Sequence, residues 1–327
     1  MKIINRKTLS LAAAAVLSMC MLPGCARSEQ DNSGKISVGC TSFSEYDWTR
    51  NIVGDSGNIQ LTYLLESGID LHNYQPSTKD ILTISDCDLF IYVGGESDKW
   101  VSDTLGEARN SDMKVISLMN VLGESVKEEE IKEGMQAEED EHSDEPEYDE
   151  HVWLSLKNAA LFTEKIEEEL SAKDKANAET YRLNANNYAE RLSRLYKEYE
   201  NVFNESPVKS AIFADRYPFA YLFSDYGVTC YAAFPGCSAE TEASFETVIS
   251  LAQKADGLNL KYIFTTESPL SSVAETIKEN TKHKNQKILR LNSMQSVTKE
   301  QINSGTTYVS LSEYNLAQLK KAFSGEF

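Results

Sequence analysis

From Asp174 to Ser206 the chain carries neither glycine nor proline, and Tyr181, Ala185, Tyr188, Leu192, Leu195, Tyr199 and Val202 recur at steps of three and four. That spacing lays all seven on one side of a helix of about nine turns, which Pro207 must end. A helix with one long apolar stripe needs a surface to bury it. A coiled-coil partner would serve, but the flanking sequence offers a nearer one. Before the helix stand four short apolar runs, KISVGCTSF from Lys35, IQLTYLL from Ile59, LFIYVGG from Leu89 and KVISL from Lys114. After it stand four more: SAIFA from Ser210, VTCYAA from Val228, KYIFTT from Lys261 and KILRL from Lys287. Short β-branched and aromatic runs separated by segments of helical length predict parallel strands covered by helices. The expected class is therefore α/β, with two similar lobes, each a mostly parallel sheet, joined by one long rigid backbone helix. The N-terminal lobe is expected over 35–157, linker helices over 158–206 and the C-terminal lobe over 207–327.

The first residues combine Lys2, Arg6 and Lys7 with an apolar run from Leu9 to Leu22, then Leu22-Pro23-Gly24-Cys25. This is the pattern of a secretory leader, and the run is shorter than the ~20 residues of a membrane span. The Leu-x-Gly-Cys ending resembles a bacterial lipobox. It predicts a lipoprotein signal peptide over 1–24, lipidation of Cys25 and a flexible polar tether over 25–34. Contact with the membrane would be through the lipid anchor only. The protein would sit on the outer face of the cytoplasmic membrane, or in the periplasm if there is an outer membrane. The net charge of −19 deepens to about −22 without the three leader cations. Such a balance excludes nucleic acid as a partner and suits the collection of cations. Cys40, Cys87, Cys230 and Cys237 allow three pairings, among which the sequence does not choose, and no CxxC spacing marks a thiolate zinc site.

Residues 127–150 hold thirteen acidic residues, two lysines and His142. Charge repulsion predicts an open insertion from the first lobe, either a solvated loop or a weak collector of cations. His72 lies between a strand and the capping-box pair Ser77 and Asp80, and so occupies a strand-to-helix loop. His151 enters an apolar segment directly after the acidic run, and Trp153 is expected to pack against it. His283, among lysines, reads as surface.

Three segments then become specific together. His72-Asn73-Tyr74-Gln75-Pro76, Asp149-Glu150-His151-Val152-Trp153 and Gly236-Cys237-Ser238-Ala239-Glu240-Thr241-Glu242-Ala243-Ser244 resemble, in order, the signature segments of the zinc/manganese solute-binding lipoproteins of ABC uptake transporters. The resemblance implies a monomer that holds a divalent metal between its lobes and delivers it to an ABC permease. It assigns the first two ligands to His72 and His151. Where a third histidine or glutamate is usual the chain has Ala214-Asp215-Arg216-Tyr217, which makes Asp215 the substitute. Where a fourth acidic ligand is usual it has Asn292 and Gln295, with Glu267 as a reserve carboxylate. Two imidazoles and a carboxylate suit Zn2+ first, then Mn2+ or Fe2+. The departures at the third and fourth positions keep open a descendant impaired in metal binding that acts as an adhesin or partner-binding surface protein. An enzyme is not expected: HExxH, GxSxG, GxGxxG and the P-loop pattern are all absent.

Overall fold

The eight apolar runs become eight strands in the computed structural model, which describes residues 34–136, 147–238, 242–267 and 271–324. Cys25, the leader and His142 lie outside the described residues. The strands are β1 Ile36–Cys40, β2 Ile59–Tyr63, β3 Leu89–Tyr92, β4 Lys114–Ser117, β5 Ser210–Arg216, β6 Thr229–Phe234, β7 Tyr262–Thr265 and β8 Lys287–Arg290. They form two four-stranded sheets, β2-β1-β3-β4 and β6-β5-β7-β8, and every neighbouring pair is parallel. Helices cover the sheets, so central strands such as Leu89-Phe90-Ile91 and Ile212-Phe213-Ala214 are buried throughout. In each sheet the strand order reverses beside the first strand, β1 in one lobe and β5 in the other. The crevice at the carboxyl ends of such strands is where open α/β sheets hold their ligands.

The long helix runs Ala178–Glu205 and packs against helix Leu156–Lys173. All seven stripe residues are buried, within the chain rather than against a second helix of another chain. Ser206 is already extended, at ψ 132°, as a residue before proline prefers. The helix reaches the C-terminal helix through the Tyr199 hydroxyl, which donates to the Ser312 carbonyl at 2.6 Å. Among the described residues no helix is long and apolar enough to cross a membrane.

The acidic segment differs from an open loop at its described ends. Glu129 N–H donates to Glu147 O at 2.9 Å and Asp149 N–H to Lys127 O at 2.9 Å, so the two arms pair as a stem. Gln136 N–H donates to Ala233 O at 2.9 Å, anchoring one arm to β6 in the second lobe. Backbone pairing and burial outweigh repulsion there, and Glu129 is turned inward. The Ser77–Asp80 capping box forms as the sequence predicts. Cys40, Cys87, Cys230 and Cys237 are all free thiols.

Candidate metal centre

The site gathers residues that follow strands of both sheets. Asp70 caps the single 3-10 turn Leu71–Asn73 beyond β2, its carboxylate accepting from His72 N–H at 3.1 Å. Arg216, at the end of β5, donates to the other Asp70 oxygen at 2.8 Å, an ion pair between the lobes at the root of the His72 turn. Burial opposes charge on Asp70, yet the Arg216 guanidinium and the adjoining hydrogen bonds hold its carboxyl below the usual range. A register shift in β5 between Phe213 and Arg216 separates the directions of its last residues.

His72 Nδ1 lies 2.7 Å from Ser97 Oγ, and the Ser97 hydroxyl donates to Glu150 Oε2. A hydroxyl that has given its proton to a carboxylate can only accept from the imidazole, so His72 carries hydrogen on Nδ1. The same reasoning holds at His151, which is fully buried: its Nδ1 lies 2.9 Å from Asp149 Oδ1, and its backbone N–H donates to that oxygen at 2.8 Å. Both rings therefore turn a bare Nε2 lone pair inward, and the two Nε2 atoms stand 3.1 Å apart. Two lone pairs at that distance repel unless a proton or a cation lies between them. Burial, then the charge at His151, pushes His72 down to about 3. Burial also opposes charge on His151, but the Asp149 carboxylate, with Glu150 and Glu129 behind it, raises that ring. A proton or a divalent ion placed between the two nitrogens would relieve that repulsion, and an ion bound there would displace the proton.

Trp153 packs against His151 with ring centroids 5.3 Å apart, fixed by its indole N–H to Ser293 O at 2.9 Å. Gln295 reaches the same nitrogen, with Nε2 3.1 Å from His151 Nε2. Asp215 and Glu267 are held otherwise. Asp215 Oδ2 accepts from Thr266 N–H and Oγ1–H, both at 2.8 Å, while Oδ1 is buried with no hydrogen-bond partner among the described residues. Burial pushes this carboxyl up to about 6. The two Glu267 oxygens accept from Ser293 N–H, at 2.7 Å, and Ser293 Oγ–H. Asn292 folds back on its own loop, its Oδ1 accepting from Met294 N–H at 2.8 Å.

The third member of the cluster is one that sequence reasoning passed over. Among the described residues, the ligating atoms of His72, His151 and Cys237 form a group lying within 4.8 Å of one another. Cys237 follows β6, and Glu129 from the acidic stem accepts from its backbone N–H at 3.0 Å. Gly236 makes the approach possible, since a Cβ there would lie 2.9 Å from Tyr217 O and 3.1 Å from His151 Nδ1. The signal in the sequence was the place of Cys237 inside a recognisable segment, which the absence of a CxxC spacing obscured. Behind the loop a cavity of about 460 Å³ is lined by Glu128, Glu129, Glu130, Asp149, Tyr217 and Gly236, among others.

Residues 38–322 match the family model described as the periplasmic zinc-uptake complex component A, ZnuA. The zinc-binding lipoprotein AdcA of Streptococcus pneumoniae is 31% identical over 323 residues, which is 98% of this chain and 62% of that protein. The chain thus spans less than two thirds of that relative's length. The high-affinity zinc uptake system protein ZnuA of Bacillus subtilis is 28% identical over 294 residues, 89% of this chain and 88% of that protein. The solved structure of the Zn(II)-bound ZnuA-like domain of Streptococcus pneumoniae AdcA matches with a TM-score of 0.70 at 28% identity, covering 89% of this chain and 99% of that one.

Proposed function

Because the chain belongs to the ZnuA family of zinc-uptake components, we propose that it is an extracytoplasmic capture protein that holds Zn2+ between its lobes and delivers it to an ABC permease. It is a solute-binding member of a transport system, not an enzyme. The observation that carries this reading is the pair of opposed Nε2 atoms 3.1 Å apart, each ring fixed in its tautomer from behind. Two nitrogens at 2.0–2.1 Å from one tetrahedral zinc stand about 3.3 Å apart, so the pair needs little movement to bind. His72 and His151 are the proposed ligands, Gln295 a neighbour able to turn an amide oxygen to the ion, and Cys25 the proposed site of lipid anchorage. Glu267 has both oxygens engaged by Ser293, whereas Asp215 is tied to Thr266 through Oδ2 alone and keeps Oδ1 as an oxygen able to meet the ion.

Zinc at a hundredfold excess over its dissociation constant stabilises a folded protein by about 2.7 kcal/mol. At roughly 2–4 °C per kcal/mol, the melting temperature should rise by several degrees and fall back on adding chelator. Changing both His72 and His151 to Ala should abolish the rise. A parent protein with no response to zinc would refute capture and favour a metal-free surface protein. Palmitate labelling that survives Cys25→Ala would refute the anchor.

A further inference from the structure

Resting on the zinc-capture reading, we infer that Cys237 supplies the third ligand as a thiolate, so that the ion is held by two imidazole nitrogens and one sulfur. The inference starts from which donors remain. Asp149 is engaged by His151, Glu150 by Ser97 and Glu267 by Ser293, while Asp215, held at Oδ2 by Thr266 and free at Oδ1, lies outside the cluster of ligating atoms around the two imidazoles. Among the described residues, the Cys237 sulfur is instead part of the one group of ligating atoms that contains both histidines, within 4.8 Å. A sulfur at 2.3 Å and a nitrogen at 2.0–2.1 Å from tetrahedral zinc are about 3.6 Å apart. Closing that gap takes about an ångström, within reach of a rotation of the cysteine side chain.

The loop is built to keep the sulfur there. Gly236 lies against His151 and the Tyr217 carbonyl with no room for a Cβ, and Glu129 holds the Cys237 backbone N–H. When the metal binds, the thiol gives its proton to water and the sulfur electron pair forms the bond to the ion. A thiolate also carries selectivity. Sulfur favours zinc and cadmium, whereas manganese prefers oxygen ligands. The chain would then discriminate against manganese through the residue that departs from an all-nitrogen and oxygen site.

The test uses the full chain, reduced and stripped by chelator, titrated with Co2+ and then with Zn2+ against a chromophoric chelator. Thiolate bound to Co2+ produces an intense sulfur-to-metal charge-transfer band that nitrogen and oxygen ligands do not. We expect that band in the parent and its loss in Cys237→Ser. Zinc binding in Cys237→Ser should weaken by about a hundredfold or more, beyond the 10–100-fold typical of residues one step behind a ligand. Asp215→Asn should keep the band and lose less than about tenfold. Cys237→Asp should narrow the preference for zinc over manganese. A parent that binds zinc tightly yet shows no charge-transfer band overturns the sulfur ligand and leaves zinc capture standing. So does a Cys237→Ser protein with parental affinity. A parent that binds neither ion overturns both readings. The parent spectrum alone decides the matter if a variant misfolds.

Discussion

Asp149 touches no substrate in the proposed site, yet its loss should be felt there. Its Oδ1 accepts two hydrogen bonds from His151, the backbone N–H at 2.8 Å and Nδ1–H at 2.9 Å, around a ring with no solvent exposure. In Asp149→Ala both donors lose their acceptor. A buried donor left unmet costs about 1–3 kcal/mol, so stability should fall by about 2–6 kcal/mol, towards the lower figure if the ring turns to find another partner. The tautomer that presents Nε2 is no longer enforced, and zinc affinity should fall 10–100-fold, about 1.4–2.7 kcal/mol. Asp149→Asn separates charge from geometry. Its amide oxygen can take the place of Oδ1, so both bonds persist as neutral ones and the loss should stay near tenfold. Competition titration against a chromophoric chelator at fixed ionic strength reads the affinity, and thermal unfolding without metal reads the stability. A folded Asp149→Ala protein that binds zinc within about twofold of the parent would refute the claim that this carboxylate sets the imidazole for the ion.

Gly236→Ala places a methyl 2.9 Å from Tyr217 O and 3.1 Å from two His151 ring atoms. Overpacking of that kind costs about 1–3 kcal/mol, so melting should drop and zinc should bind more weakly, while parental values in both assays would contradict the close approach. Arg216→Met leaves Asp70 without its partner across the lobes. The pair is partly exposed, at 21% and 14% of its side chains, so the cost should be about 1–3 kcal/mol rather than the 3–5 of a fully buried pair. A double-mutant cycle with Asp70→Asn that shows no coupling would rule out the tie. Asp98 answers to pH. Burial pushes its carboxyl up to about 7, opposed by the Gly94 N–H and reinforced by Glu150. The unfolded value is about 3.9, so the folded state binds the proton more tightly, and stability is lost as pH rises through that window. Melting temperature measured between about pH 5 and about pH 8 should fall less in Asp98→Asn than in the parent. Equal slopes would remove Asp98 as the cause.

The sequence alone determined the fold class, because its evidence is local. β-branched and aromatic runs marked all eight strands, a stripe at steps of three and four marked the helix Ala178–Glu205, and Ser77 with Asp80 marked a helix start. It also singled out His72 and His151, through short segments that keep their order along the chain. What only the tertiary structure decided is which loops meet. His72 and His151 are 79 positions apart, Arg216 reaches Asp70 across 146, and Gln295 reaches His151 across 144. No period or propensity carries that information. Arg216 stands next to Asp215 in sequence but pairs with Asp70, because the register shift in β5 and the facing lobe set where its side chain ends. Glu129 reads as one of thirteen solvated carboxylates until the stem folds it against the Cys237 amide. Cys237 itself is an ordinary small residue by composition. It becomes a ligand candidate only when the packing of two sheets brings the end of β6 to the two imidazoles.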